Sequence, residues 1–189
     1  MGIKLLDCTL RDGGYINDWK FGYRTAKSII QKLVDSNADY VEVGFLRNCS
    51  YDKNATLFNN IAELKKILPR EQKNTKFTVM ALHNKYDITK LEPNDGTVEA
   101  VRVTFHDYDI DEGLEFVKKV MEKGYKCFCN PINIMGYSDQ EILNLIQKIN
   151  QIKPYAFSIV DTFGSMIKSD LLRIYSLLEH NLDKSIVIG

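Results

Sequence analysis

The chain has 189 residues, 44% of them hydrophobic, with 25 basic side chains balanced by 25 acidic ones. That size buries one good core and asks for no second domain. The neutral total gives no global positive field for nucleic acid, no lysine-arginine cluster stands out, and no apolar run approaches the roughly 18 residues of a membrane span.

In chain order, residues 3–10 (IKLLDCTL) predict a first strand, ending in Arg11, Asp12 and a glycine turn at Gly13 and Gly14. Residues 23–37 space Ala26, Ile29, Ile30, Leu33 and Val34 as one face of a helix that Asn37 can close. A second strand at 39–45 (DYVEVGF) precedes a helix predicted over 54–69 and stopped by Pro69. The third strand, 75–82, is followed by HNKYDITKLEPNDG, with room for only one or two helical turns before a turn at Pro93 and Asp95-Gly96. A fourth strand at 97–105 leads into a helix over 111–124 that starts with acids, gains lysines late and ends at Gly124. After a fifth strand at 125–132, Ser138 and Glu141 form a capping-box pattern at the head of a helix over 138–152. A sixth strand at 155–163, a helix over 168–181 and a seventh strand at 184–189 complete the pattern.

Strands alternating with helices require parallel crossovers, and two architectures suit them. An open doubly wound sheet accommodates seven strands, while a closed TIM (β/α)8 barrel would lack its eighth. No dinucleotide or phosphate-loop glycine fingerprint follows the first strand, so the nucleotide-binding form of the open sheet gains little support.

Cys8, Cys49, Cys127 and Cys129 form no closely spaced metal array, and no leader-like segment opens the chain, so a reducing, cytoplasmic setting is expected. Cys127 and Cys129 fall on one face of a strand and read as small core residues.

Polar residues gather at the ends of the predicted strands: Arg11 and Asp12, then His83 and Asn84, His106 and Asp107, Asn130, and finally Asp161 and Thr162. In a parallel α/β protein these ends share the face on which substrates bind. Each residue also has a plain structural reading. Arg11 and Asp12 can be an ion pair, Asp161 a cap, and His83 and His106 ordinary hydrogen-bonded residues, while His180 suits a helix C-terminus. Asp107, Asp109 and Asp111 lack the EF-hand spacing. Glu42 is harder to explain structurally. Valines flank it on a predicted central strand, alternation turns it away from them, and the inside of a barrel is where Arg11 would reach it.

The segments DCTLRDGGY, VEVGF and VDTFG resemble the metal-dependent TIM-barrel lyase and acyltransferase superfamily, which includes isopropylmalate synthase and hydroxymethylglutaryl-CoA lyase. Within it the likeness is nearest to 4-hydroxy-2-oxovalerate aldolase-like proteins, and it spans essentially the whole chain. The resemblance implies one partial barrel domain over 1–189, the N-terminal part of a longer parent. It implies that Arg11 steadies an enolate, that Asp12 ligates Mn²⁺ or Mg²⁺, that Glu42 supports the arginine, and that Asp161 and Thr162 match the sixth-strand motif. Related aldolases carry a histidine base shortly after the first motif; here Tyr15 stands in that region, which leaves Tyr15 and His83 as candidates. The family's His-x-His metal ligands are expected beyond Gly189, so the isolated chain is expected to be inactive.

The implied substrate is a small 2-oxo acid or aldehyde, with a second copy or another partner covering exposed sheet edges. Two alternatives stay open: acyl-CoA condensation or lyase chemistry, and a non-catalytic barrel used for binding or assembly.

Overall fold

Side-chain alternation along the strands sets the architecture of the chain, which a computed structural model describes over residues 2–189. In chain order the elements of the first half are β1 (Leu6–Asp7), α1 (Thr9–Asp12), α2 (Gly14–Asn17), α3 (Tyr23–Asp35), β2 (Tyr40–Leu46), β3 (Leu57–Phe58), α4 (Ile61–Lys65) and β4 (Lys76–Leu82). The second half contains β5 (Ala100–Phe105), α5 (Ile110–Glu122), β6 (Lys126–Pro131), α6 (Asp139–Ile152), β7 (Ala156–Phe157), α7 (Lys168–Asn181) and β8 (Val187–Ile188). Seven parallel strands follow the order β1-β2-β4-β5-β6-β7-β8, and short β3 branches off β2.

The sheet is curled into a partial barrel. The hydroxyls of Tyr40 on β2 and Tyr155 just before β7 lie 3.2 Å apart, although their strands are four steps apart in the sheet. In a flat sheet that separation would be about 19 Å. Curling divides the strand residues into two populations. Val41, Val43, Phe77, Val79, Ala81, Val101, Val103, Phe105, Cys127 and Cys129 join the helices in one apolar core. Their alternates include Glu42, Thr78, Arg102 and Asn130, and these line the inside.

The helices form where the apolar spacing places them. In α3, Ala26, Ile30 and Val34 are buried at four-residue intervals, and burying each of the two larger side chains contributes about 1.5–3 kcal/mol. The helix closes at Asn37, whose φ of 57° is left-handed. At the head of α6, the Ser138 hydroxyl accepts from Glu141 N at 3.3 Å while Glu141 Oε2 accepts from Ser138 N at 2.7 Å. Between β4 and β5 there is only a 3-10 turn at Ile88–Lys90, in line with the short segment.

Four predicted elements need correction, one of them the seventh strand predicted over 184–189, which forms only at Val187–Ile188. The helix predicted over 54–69 forms only at Ile61–Lys65, because Leu57 and Phe58 pair with β2 and Asn60 caps the helix by accepting from Glu63 N at 2.9 Å. The first strand stops at Asp7 rather than continuing to 10, since Arg11 N and Asp12 N turn back to Cys8 O. The sixth predicted strand is two residues long, because β8 is equally short and Asp161 folds the following backbone onto itself.

Candidate active site at the barrel mouth

The local turn after β1 positions the first site residues. Arg11 N and Asp12 N donate to Cys8 O at 3.0 and 2.8 Å, carrying both side chains onto a helical turn at the strand's C-terminal end. Trp19 Nε1 then donates to Arg11 O at 2.7 Å, and Thr56 Oγ1 donates to Leu10 O at 2.8 Å. The second glycine of the motif makes space for the indole, since a Cβ on Gly14 would lie 2.0 Å from the Trp19 ring. Gly44 has a comparable task on β2. With φ at 144° and a hypothetical Cβ 2.0 Å from Thr56 O, it lets β3 close against the strand carrying Glu42.

Glu42 is the centre of the arrangement and is wholly buried. Its Oε2 accepts from Arg11 Nε at 2.7 Å and from Arg102 Nη1 at 2.9 Å. Arg102 comes from β5, three strands from β1, and its Nη1 also lies 3.3 Å from Cys8 Sγ. Its Nη2 donates to Asn130 Oδ1 at 3.0 Å, while Asn130 Nδ2 donates to Phe128 O at 3.0 Å and Val103 O at 3.3 Å. A buried carboxylate is tolerated when charge and hydrogen bonds compensate it, and two guanidiniums do so here. Glu42 Oε1, Arg102 Nε and Thr78 Oγ1 are buried without a hydrogen-bond partner among the described residues.

The electrostatics follow from this packing. Burial works against the charge on Arg11, but the adjoining Glu42 carboxylate outweighs it and raises its affinity for the proton. Burial, reinforced by Glu42, pushes the Cys8 thiol up to about 11, so it is a neutral thiol at physiological pH. Asp12 lies on the solvent side of Arg11. It accepts from Nη1 at 2.6 Å, and its side chain is 68% exposed.

A second pair sits beyond β4 and β5. His83 Nε2 is 2.8 Å from Asp109 Oδ2, and Asp109 Oδ1 accepts from the His106 backbone N–H at 2.6 Å. Burial alone would raise the Asp109 carboxyl, but the bonds to His83 and His106 prevail and hold it below its ordinary range. Tyr15, by contrast, is exposed and packs edge-on against Trp19 and Phe45, with ring centroids at 5.0 and 6.5 Å.

Asp161 and Thr162 stand in an exposed loop after β7. Asp161 accepts from Ser165 N and Met166 N, and Thr162 Oγ1 accepts from Asn133 N at 2.7 Å. The structure thus brings Arg11, Asp12 and Glu42 together, while Asp161 and Thr162 make local loop contacts. Surface hollows beside α6 and at the start of α3 contain none of these site residues.

Arg102 is absent from the residues that the strand-end pattern singles out. The signal was present in AVRVTF, where a charged residue between valines repeats the pattern that marks Glu42. Asp109 was discernible only as part of a sparse acidic series, because its partner His83 is 26 residues away.

Among the described residues, no group of three His, Cys, Asp or Glu side chains could hold a metal ion. Asp12 is one carboxylate, already paired with Arg11. The residues present therefore do not by themselves fit a divalent-cation site, which needs several oxygen or nitrogen ligands.

No family profile matches the sequence, and no curated protein matches it at a significant level. Solved structures do. The N-terminal domain of a "putative aldolase" from Bacteroides vulgatus superposes with a TM-score of 0.74 at 22% identity, over 98% of this chain and 63% of that one. The fold is that of an incomplete TIM barrel. A variant carboxyl transferase domain of Rhizobium etli pyruvate carboxylase, with pyruvate, matches with a TM-score of 0.72 at 15% identity. It is covered over 35% of its length by 98% of this chain. The same domain with pyruvate and biocytin gives a TM-score of 0.67, also at 15% identity and with the same coverage. The chain spans less than two thirds of each of these structures.

Proposed function

We propose that this chain forms the first part of a lyase or aldolase that makes or breaks a carbon-carbon bond beside a 2-oxo acid. The observation that carries this reading is Arg11 held by buried Glu42 at the C-terminal mouth of a parallel barrel, with Asp12 next to it on the solvent side. The likeness to an aldolase-described domain and to a carboxyl transferase domain with pyruvate supports the same substrate class.

In the cleavage direction, a base removes the proton from the 4-hydroxyl. Its O–H electron pair forms the aldehyde carbonyl, the C3–C4 bond breaks, and the released pair moves through C3–C2 onto the 2-oxo oxygen. Arg11 would stabilise that enolate oxygen, a task suited to a guanidinium already fixed before charge develops. Protonation at C3 then completes the 2-oxo acid. For the base, His83 is favoured over Tyr15 because Asp109 orients the imidazole. With Nε2–H donated to Asp109, Nδ1 carries the lone pair. Asp12 would contribute a single carboxylate to any Mn²⁺ or Mg²⁺ held with ligands from elsewhere, and the described residues alone do not complete such a site.

The test is turnover by the full-length protein of 4-hydroxy-2-oxo acids, with released 2-oxo acid followed by lactate dehydrogenase coupling. Cleavage that Arg11→Gln lowers by about 10²–10³ supports the reading. Activity that appears only with an acyl-CoA and a 2-oxo acid assigns the condensing chemistry instead. An Arg11→Gln, Asp12→Asn variant with every activity unchanged assigns a binding or assembly barrel.

A further inference from the structure

Three charges meet inside the partial barrel: the wholly buried carboxylate of Glu42 and the partly buried guanidiniums of Arg11 and Arg102 that both bond it. Arg11 and Glu42 alone would make a neutral pair. A neutral pair offers little to negative charge developing on a substrate oxygen, since the carboxylate repels what the guanidinium attracts. Arg102 changes that balance, because the three groups sum to one positive charge. Asp12 also contacts Arg11 at 2.6 Å and would bring the four-group sum to zero, but its carboxylate is 68% exposed, so water weakens its contribution relative to that of buried Glu42, and the surplus belongs to the three groups inside the barrel.

The geometry fixes where the surplus lies. Arg102 is anchored from below by Asn130, whose amide is in turn held by two backbone carbonyls. Both guanidiniums meet the same carboxylate oxygen, so Arg102 takes part of the negative charge that Arg11 would otherwise face alone. Arg11 bonds Glu42 through Nε and Asp12 through Nη1, and this places its outer edge towards the solvent side.

We propose that Arg102 is a positioning residue that supplies the net positive charge of the anion site, acting on the substrate through Glu42 and Arg11. This rests on the enolate reading of Arg11 above. It also gives a reason for the valine-flanked arginine on β5: the inside of the barrel carries a carboxylate with two cations rather than a self-contained pair.

The experiment measures binding of oxalate, a dianion with the shape of a pyruvate enolate, to the full-length protein by calorimetry. Arg102→Gln removes the surplus charge and is expected to weaken oxalate about tenfold, the scale of one charge across a partly screened site. Glu42→Gln combined with Arg102→Gln returns the net charge to plus one and is expected to bring affinity back to within about threefold of the parent. A merely structural role predicts the opposite, because the double variant has lost both the carboxylate that holds Arg11 and the guanidinium that holds that carboxylate. Arg102→Lys keeps the charge and is expected to bind better than Arg102→Gln.

If the double variant binds oxalate as poorly as Arg102→Gln, or if Arg102→Gln binds like the parent while Arg11→Gln does not, the proposal falls and the role of Arg11 stands. If Arg11→Gln binds oxalate like the parent, the enolate reading falls and takes the proposal with it. Should Arg102→Gln fail to fold, Arg102→Lys and the double variant still decide the case. The double variant leaving affinity far below that of Arg102→Lys overturns the charge argument, and equality between them supports it.

Discussion

Arg11, Glu42 and Arg102 join α1, β2 and β5 through one buried carboxylate, whereas Asp161 and Thr162 beyond β7 sit in an exposed loop that bonds mainly to its own backbone. The same contrast holds for apolar groups. Leu10, Phe45 and Phe58 near the first side of the mouth are buried, with Tyr15 and Ile16 exposed at its rim, while Phe163, Ile167 and Leu172 on the second side are all exposed. The charged groups inside the curled sheet pair with one another in the fold itself, so the first side is preorganised by folding. The second side has satisfied its polar groups locally, through loop hydrogen bonds at the surface.

The sharpest way to break this comparison is to remove a carboxylate from each side. Glu42→Ala leaves two guanidiniums with no buried counter-charge and is expected to cost about 3–5 kcal/mol in urea unfolding. Asp161→Ala removes two loop hydrogen bonds near solvent and should cost about 1 kcal/mol or less. Equal costs would show that the two sides are not built differently.

Next comes the backbone support of the first side. Gly44→Ala places a methyl group against Thr56 O at a φ of 144°, and a loss of about 2–4 kcal/mol is expected from a urea midpoint shift. A loss below that of Ser138→Ala would remove Gly44 from the account. Ser138→Ala serves as a reference away from the mouth, since it deletes an ordinary helix cap at the start of α6 and should cost about 1 kcal/mol.

The smallest effect concerns pH. The Asp109 carboxyl is held below its ordinary value of 3.8, so its bonds contribute stability above that value and lose it as pH falls through the lower folded value. Thermal midpoints should therefore decline below about pH 4 more steeply in the parent than in Asp109→Asn. Parallel pH profiles would mean that the His83 pairing contributes nothing measurable.

Much of this organisation was legible in the sequence, and for identifiable reasons. Glu42 between two valines announced an inward carboxylate, because side chains alternate across a strand. Asn37, Gly124 and the Ser138–Glu141 pair marked helix ends, because capping is a local matter of backbone groups and near neighbours. The segment over 54–69 misled because its apolar spacing also suits a helix. Pairing of Leu57 and Phe58 with β2 is a long-range contact that local propensity does not register. Arg102 escaped because strand ends draw attention in a parallel sheet, and it lies mid-strand. Its partner is a carboxylate 60 residues earlier, and that proximity exists only once the sheet has formed.

Proton exchange at the methyl group of pyruvate tests the central claim most directly, because it asks only for an enolate and not for a particular aldehyde partner. The full-length protein with pyruvate and Mn²⁺ in deuterated water would be followed by proton NMR of the methyl signal. Loss of that signal with the parent, slowed by about a hundredfold or more in Arg11→Gln, is the predicted result. Equal loss in both proteins, or none with the parent, would contradict an enolate-stabilising role for Arg11.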